Sequence, residues 1–107
     1  MATSQQTADF ILDQLRGIGD LRVRKMFGEY ALYCDGKVAG FICDDQLLVK
    51  PSSASAPFAS ACTEAPPYPG AKHYLLVPGD RLEDREWLGD FIRQTVDALP
   101  LPVPKKR

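Results

Sequence analysis

The residues best suited to chemistry in this chain are three cysteines and one histidine: Cys34, Cys43, Cys62 and His73. A thiolate beside an imidazole can act as a nucleophile, but the cysteine then needs a low pKa and must lie close to the histidine. No nucleophile motif surrounds these residues, so a pair would require Cys43 or Cys62 to meet His73 in the fold. The cysteines also lack the C-x-x-C spacing of a zinc site, and three is an odd number for a disulfide framework. We therefore predict free, buried thiols, with no metal site, no cofactor and no catalytic residue.

The adjacent carboxylates Asp44 and Asp45 are the next candidates for acid–base chemistry. Neighbouring side chains at a turn point apart, and aspartate is a common turn residue, so a turn is the favoured interpretation. The glycines form no phosphate-binding loop, because neither G-x-G-x-x-G nor a Walker-type sequence is present. The residue types therefore indicate no reaction, and the chain is predicted not to be an enzyme.

The one local basic cluster that lies beside an aromatic residue contains Arg22, Arg24 and Lys25, next to Phe27. Basic and aromatic side chains together can bind nucleic acid. The favoured interpretation is a strand edge whose charges prevent aggregation, since the 107 residues include 13 basic and 14 acidic ones and the net charge is −1. Autonomous DNA binding is not expected. The cluster and Tyr33 together form the candidate interaction surface.

The elements that position these residues are clearest in the segment 26–50, where three runs of strand composition are separated by Asp35-Gly36 and Asp44-Asp45. An Asp-Gly pair between two strands predicts a type I′ hairpin, because both central residues need a positive φ. The predicted pairs are Cys34 with Lys37, Leu32 with Ala39, Tyr30 with Phe41, Cys43 with Gln46, and Phe41 with Leu48. The segment is therefore predicted to form an antiparallel meander.

Alternation along these strands makes both faces of the predicted sheet apolar. One face is predicted to contain Tyr30, Leu32, Ala39, Phe41, Cys43 and Leu48, and the other Tyr33, Val38, Ile42, Leu47 and Val49. A sheet with one face in water would carry polar residues there. We therefore predict that the second face is covered by a helix or by another subunit, and the latter would make the protein a homodimer.

Apolar residues at helical spacing predict a first helix around residues 8–15 and a last helix over residues 87–99, which begins at Asp84 or, by a capping box, at Asp80. A strand from residue 21 is predicted to break at Gly28 in a bulge. A short helix at 58–61 and a strand at 73–77 complete the pattern. The predicted fold class is α+β, a two-layer domain with a meander of about four to five strands and both terminal helices packed on it.

Residues 1–100 are predicted to form this single domain, and residues 101–107 a flexible tail, because a segment rich in proline and lysine does not pack. No apolar stretch approaches the ~20 residues that cross a bilayer. The start of the chain also lacks the basic and apolar regions of a signal peptide. A cytoplasmic location without membrane contact is expected.

The sequence of residues 24–33, followed by both turns and the strand at 47–50, resembles the N-terminal domain of the TfoX/Sxy competence regulators. The residues that carry this signature are Met26, Phe27, Gly28, Tyr30 and Lys50. The resemblance covers nearly the whole chain. It implies helices on an antiparallel sheet, no enzymatic activity, and a link to the transcriptional regulation of DNA uptake through partner proteins. Full-length family members carry a second, helical domain without a counterpart in these residues, so a stand-alone domain is expected.

The expected function is therefore that of a protein-interaction module or transcription co-regulator, with a regulator or part of the transcription machinery as its partner. The alternative is a module that binds a small molecule or a peptide in an aromatic groove on the sheet. That groove would be lined by Tyr30, Tyr33, Phe41 and Tyr68. Lys50 or Arg24 would hold an anionic group of the ligand.

Overall fold

The computed structural model describes residues 5–26 and 29–100. Its elements are α1 (Gln5–Gln14), β1 (Leu21–Met26), β2 (Glu29–Cys34), β3 (Lys37–Cys43), β4 (Gln46–Val49), α2 (Ala56–Ala59), β5 (Thr63–Ala65), β6 (Tyr74–Leu76), α3 (Gly79–Leu82) and α4 (Arg85–Ala98). Within these residues the strands form one six-stranded sheet in the order β1-β2-β3-β4-β6-β5. The α+β class is confirmed. The predicted bulge at Gly28, the signature residue Phe27 and the predicted tail 101–107 lie outside the described residues.

Helices α1 and α4 supply the layer that covers one face of the sheet. Their apolar residues recur every three or four positions, which places Ile11 of α1 and Phe91 of α4 in one buried cluster with Leu32, Ile42 and Leu47 of the strands. All five side chains are fully buried. The hydrophobic core therefore lies between this helix layer and the sheet.

The start of α4 follows the later of the two predicted caps. The Asp84 carboxylate accepts a hydrogen bond from the backbone N–H of Trp87 at 3.1 Å, as an N-cap does. Asp80 instead belongs to the short helix α3. At the other end, Lys37 Nζ donates to the carbonyl oxygens of Val96 and Leu99 at 2.9 and 3.0 Å. Both ends of α4 are therefore capped by side chains.

Both predicted tight turns are present. Asp35 and Gly36 have φ values of 54° and 81°, and Asp44 and Asp45 have φ values of 53° and 59°. A two-residue turn with positive φ at both positions has the twist that two antiparallel strands require. The predicted pairs next to the turns are confirmed: Cys34 with Lys37, Cys43 with Gln46, and Phe41 with Leu48.

The predicted register farther along β2 and β3 is wrong. The pairing shifts between Leu32 and Tyr33, so that Leu32 lies opposite Gly40 rather than Ala39, and Tyr30 lies opposite Ile42 rather than Phe41. Ala39 is the extra residue of a β-bulge. Its carbonyl accepts a hydrogen bond from the backbone N–H of Lys50 at 2.8 Å.

The bulge also makes the predicted grouping of the two faces wrong, because one extra residue in β3 changes which of its side chains share a face with β2. Tyr30 and Leu32 share the helix side with Ile42, Leu47 and Val49. We call the opposite side of the sheet the far face. The far-face residues of the meander include Ala31, Phe41, Cys43 and Leu48, together with Tyr33 and Val38, which share a face as predicted.

The far face is partly covered by the segment between β5 and β6. The Tyr68 ring lies edge-on to the Phe41 ring, with a centroid distance of 6.2 Å, and Pro67 is buried. The predicted cover was a helix or a second subunit, whereas this part of the cover is a loop of the chain itself. The far-face residues Ala31, Leu48 and Cys43 are buried within the single chain.

Candidate functional site on the far face of the sheet

The strand register places Arg24, Ala31, Phe41, Leu48 and Leu76 in one row across the far face. Side chains in such a row are close neighbours, because adjacent strands lie about 5 Å apart. The row runs from a basic edge strand into an apolar centre. On either side of Phe41 the far face is concave.

An apolar cavity of about 350 Å³ lies on one side of Phe41 and Tyr68. Its lining residues are Met26, Glu29, Tyr30, Phe41, Cys43, Pro67 and Tyr68. The Glu29 carboxylate at its border accepts a hydrogen bond from the backbone N–H of Asp44 at 3.1 Å. An apolar concavity of this volume can enclose a small molecule or one large side chain of a partner.

A basic depression of about 410 Å³ lies on the other side of Tyr68. Its lining residues are Phe41, Lys50, Pro51, Pro67, Tyr68, Ala71, Lys72, His73 and Tyr74. Tyr74 packs against Phe41 with a ring distance of 5.5 Å, and burial, followed by the proximity of Tyr68, raises its pKa. Tyr68 stands between the cavity and the depression and is 57% exposed. An apolar group and an anionic group of one ligand can therefore bind side by side.

The described signature residues lie at these two concavities. Met26 and Tyr30 line the apolar cavity, and Lys50 lines the basic depression. Tyr30 also belongs to the core, where its hydroxyl group donates to Gln5 Oε1 of α1 at 3.0 Å. The signature tyrosine therefore connects the first helix to the cavity wall.

The predicted aromatic groove is only partly assembled. Tyr30, Phe41 and Tyr68 line the apolar cavity together. Tyr33 instead lies with Lys50 in a separate depression near the end of α4. Tyr33 and Phe41 share the far face, but Tyr33 lies opposite Val38 and Phe41 lies opposite Ala31, so the two rings are separated along the strand direction.

The predicted interaction surface is divided between the two sides of β1. Arg22 and Arg24 alternate with Val23, which packs on the core, so the two arginines lie on the far face. Lys25 lies on the helix side, beyond the core, and is exposed. Arg24 and Lys50 are separated by the width of β2 and β3, so they do not hold one anion together.

Tyr74 and Lys72 are the site residues that the sequence interpretation missed. The signal for Tyr74 was present: in the predicted strand at 73–77 the apolar residues Leu75 and Val77 lie on one face, and Tyr74, which precedes Leu75, then points to the other face. The position of Lys72 gave no such signal, because it lies in the connection that precedes β6.

Neither thiol–imidazole pair considered above forms among the described residues, and Cys62 Sγ instead donates to the carbonyl oxygen of Phe58 at 3.5 Å. Cys43 lines the apolar cavity, whereas His73 lies in the basic depression, with its Nδ1 atom 3.7 Å from Glu64 Oε1. Burial, with smaller contributions from Glu29 and Asp44, raises the pKa of Cys43 to about 11. A nucleophilic cysteine needs the opposite shift.

Metal binding was also considered for the cysteines and the histidine. The structure contains no cluster of histidine, cysteine and carboxylate side chains that could hold a metal ion within residues 5–26 and 29–100. Burial also raises the pKa of Cys34 and Cys62, which disfavours the thiolate form that binds metals.

The fold and its concave sheet face define a small two-layer α+β domain with an apolar cavity beside a basic depression. The family model described as the TfoX N-terminal domain matches residues 13–99. The chain belongs to the TfoX N-terminal domain family, as the signature predicted, and is thus a competence-regulator-like domain.

A curated relative is similar along almost its full length. It is the "Uncharacterized 12.7 kDa protein in trpE 5′ region" of Spirochaeta aurantia, which is 45% identical over 106 residues, covering 99% of this chain and 91% of that protein. The match extends through all the described elements. No helix in the described part of the chain is both long enough and apolar enough to cross a membrane.

Proposed function

We propose that this chain is a cytoplasmic protein-interaction module that co-regulates transcription in the manner of the competence regulators. The observation that carries the proposal is the position of the signature residues Met26, Tyr30 and Lys50 at two adjoining concavities of the far face. Family membership supports the regulatory role. The raised pKa of Cys43 supports binding rather than thiol chemistry.

A protein is a better partner than DNA on electrostatic grounds. Proteins that bind duplex DNA typically neutralise several phosphates, and their affinity depends on a surplus of basic residues. This chain has a net charge of −1. The apolar cavity is instead suited to one large apolar side chain, the kind of anchor that contributes most to protein–protein binding.

Affinity capture from the native cells tests the proposal. Tyr68→Ser removes the exposed ring between the two concavities, and Phe10→Ser is the matched control, since Phe10 is 43% exposed on α1, away from the far face. We expect a transcription regulator or a polymerase subunit to be retained by the wild type and by Phe10→Ser, and lost with Tyr68→Ser. Equal retention by both variants, or tight binding of the chain to duplex DNA at physiological salt, would contradict the proposal.

Homodimerisation remains a separate proposal. The homodimer was predicted because the second face of the predicted sheet was apolar and uncovered. Among the described large apolar residues, however, only Phe10 and Tyr68 are substantially exposed. A stable dimer usually buries about 800 Å² per partner. A dimer through the far face is therefore expected to be weak and to depend on Tyr68. Sedimentation velocity of the wild type and Tyr68→Ser over a range of concentrations measures this.

Small-molecule binding is the second candidate function, and the apolar cavity of about 350 Å³ favours it. This volume lies at the lower end of the range of ligand sites. Lys50 and Lys72 in the adjoining depression would hold a carboxylate. A thermal-shift screen of apolar carboxylates tests this, because a ligand at 100 times its Kd stabilises the fold by about 2.7 kcal/mol. Stabilisation of Tyr68→Ser equal to that of the wild type would exclude this site.

A further inference from the structure

Strand β1 (Leu21–Met26) is the terminal strand of the sheet. One of its edges pairs with β2, and the other forms no backbone hydrogen bond with any residue that the structure describes. Such an edge is a template on which another extended segment can pair, because its N–H and C=O groups lack protein partners. With six residues, β1 is long enough to accept a full strand.

The backbone groups that point outward follow from the ladder between β1 and β2. The Asp35 backbone N–H donates to the carbonyl oxygen of Asp20 at 2.9 Å, which makes these two residues a hydrogen-bonded pair. In an antiparallel ladder such pairs recur at every second residue. The even-numbered residues of β1 therefore bond to β2, while Leu21, Val23 and Lys25 direct their backbone groups away from the sheet.

The side chains along this edge are positively charged. Arg22, Arg24 and Lys25 are exposed, and β1 contains no acidic residue. Arg22 contacts Asp20 at 3.4 Å, with both side chains largely in solvent, whereas no ion pair of Arg24 or Lys25 exists within residues 5–26 and 29–100. A local positive charge thus remains at the edge of a chain whose overall charge is close to zero.

The same charges oppose pairing of β1 with a second copy of itself. In an antiparallel pair that continues both sheet faces, residues of the same face lie opposite each other. Pairing centred on Arg24 sets Arg24 against its own copy, and pairing centred on Val23 sets Arg22 against Arg24 of the second copy. Pairing centred on Lys25 sets two lysines opposite each other. Like charges in these positions destabilise a strand pair.

We propose that β1 binds an extended acidic segment of a partner protein as an additional strand of the sheet. The proposal specifies the partner chemistry of the interaction module proposed above and rests on that function. Carboxylates at alternate positions of the segment lie opposite Arg22 and Arg24 on the far face, and the main-chain groups of Leu21, Val23 and Lys25 supply the hydrogen bonds. Backbone bonds give such a complex its affinity, and alternate side chains give its specificity.

A competing role for these charges is protection of the edge against aggregation. Protection requires repulsion of other strands and predicts no specific ligand. Strand addition predicts that binding depends on the outward backbone N–H groups as well as on charge. Lys25 separates the two roles, since its charge can be removed alone or together with its outward N–H.

The probe is a fluorescein-labelled peptide of about eight residues in which glutamate alternates with threonine. Its binding is measured by fluorescence anisotropy at low salt and at about 150 mM salt. Lys25→Pro removes the charge and the outward N–H, and Lys25→Ala, the matched control, removes the charge alone. Proline is tolerated at an edge position whose N–H faces solvent. We expect Lys25→Pro to bind the peptide about tenfold more weakly than Lys25→Ala, and Arg24→Glu to bind it more weakly than the wild type.

A second probe leaves the protein unchanged and covers the case in which Lys25→Pro does not fold. It is the same peptide N-methylated at its threonines, whose N–H groups face β1 when the glutamates lie opposite Arg22 and Arg24, so the peptide keeps its charge but loses these hydrogen bonds. The proposal is supported if only the unmethylated peptide binds the wild type. It is overturned if both peptides bind equally, if the glutamate peptide does not bind, or if single-stranded oligothymidylate displaces it with higher affinity.

Failure of strand addition at β1 can be distinguished from failure of the proposed interaction function. A partner captured equally by the wild type and Lys25→Pro, but lost with Tyr68→Ser, would keep the interaction module and overturn strand addition at β1. A partner lost with Lys25→Pro and retained by Lys25→Ala would support both.

Discussion

Arg93 Nη1 lies 3.0 Å from Asp35 Oδ2, and this contact joins helix α4 to the turn between β2 and β3. The same guanidinium donates to the carbonyl oxygen of Ile18 at 2.6 Å and to the Asp97 carboxylate at 2.7 Å. Asp35 also accepts a hydrogen bond from the backbone N–H of Asp20 at 2.8 Å. One ion pair thus holds together the last helix, the first connection and the central hairpin.

The stability of this junction is expected to depend on pH through Asp35. Its hydrogen bond from the Asp20 backbone and its contact with Arg93 lower the pKa of the Asp35 carboxyl group. A carboxyl group whose pKa is lower in the folded state stabilises the fold above its unfolded pKa, about 3.9, and loses this effect as the pH falls through its folded pKa. We expect Asp35→Asn to lower Tm at pH 7, and the difference from the wild type to shrink below about pH 4.

Asp44→Asn is the matched control for this experiment. Asp44 also has a positive φ at a two-residue turn, and asparagine tolerates that conformation. No ion pair of Asp44 exists among the described residues, so its replacement should leave the pH profile of Tm close to that of the wild type. A difference between Asp35→Asn and the wild type that stays constant from pH 7 to pH 3 would contradict the assignment.

Lys37 stabilises the C-terminal end of α4 from the hairpin. Its ammonium group donates to the carbonyl oxygens of Val96 and Leu99 at the end of the helix, where the helix dipole favours a cation. We expect Lys37→Met to lower the free energy of unfolding by about 1 kcal/mol. Urea denaturation measures this, with the exposed Lys72→Met as the control. Equal effects of the two substitutions would refute the cap.

Among the glycines that the structure describes, Gly40 is predicted to be the least tolerant of substitution. A Cβ atom at Gly40 would overlap the carbonyl oxygen of Leu48 and lie 3.0 Å from Val49 Cα. Both atoms belong to the backbone of β4, so the sheet itself would have to move. We expect Gly40→Ala to cost about 2 kcal/mol or more. Gly79→Ala is the control, because nothing lies within 4 Å of its Cβ position and its φ is unexceptional. Thermal midpoints of the two variants decide the question.

The regular elements of this fold were predictable because each depends on local signals. The apolar spacing of α1 and α4 and the Asp35-Gly36 turn specify their structures within a few residues of sequence. The six-stranded sheet was underestimated because β5 is only three residues long, and such a strand has no readable period. The pairing next to each turn was correct for the same local reason.

The site was less predictable, because it depends on one bulge. The extra residue Ala39 does not disturb the alternating pattern of β3 in the sequence. In the fold, however, it reverses which β3 residues share a face with the residues of β2. In the unbroken register Phe41 shared a face with Tyr30 and lay opposite to Tyr33, whereas in the structure Phe41 and Tyr33 share the far face. Gly40 was the available signal, since a glycine inside a strand often marks a bulge or a close backbone approach. The cover by Tyr68 depends on a loop and could not be derived from periodicity.

Thr95 is expected to be a position where a substitution stabilises the protein. Its side chain on α4 is fully buried, and its hydroxyl group has no hydrogen-bond partner among the described residues. An unsatisfied buried hydroxyl costs about 1 kcal/mol or more, and valine has nearly the same shape. We expect Thr95→Val to raise the free energy of unfolding by about 1 kcal/mol. Thr95→Ser keeps the hydroxyl, removes a methyl group and should be destabilising. A stabilising Thr95→Ser would argue that the methyl group is overpacked instead.

The three thiols are expected to react slowly in the folded protein. With a pKa of about 11, Cys43 is about 0.1% thiolate at pH 8, whereas an unperturbed cysteine is about one quarter thiolate. Burial raises the pKa of Cys34 and Cys62 as well, and Cys62, the least buried of the three, should be labelled first. Iodoacetamide labelling followed by mass spectrometry measures the order, and denaturation should make all three thiols reactive at similar rates. Rapid labelling of Cys43 in the native state would mean that the apolar cavity is open to solvent and stabilises a thiolate, and the choice of binding over thiol chemistry would then be wrong.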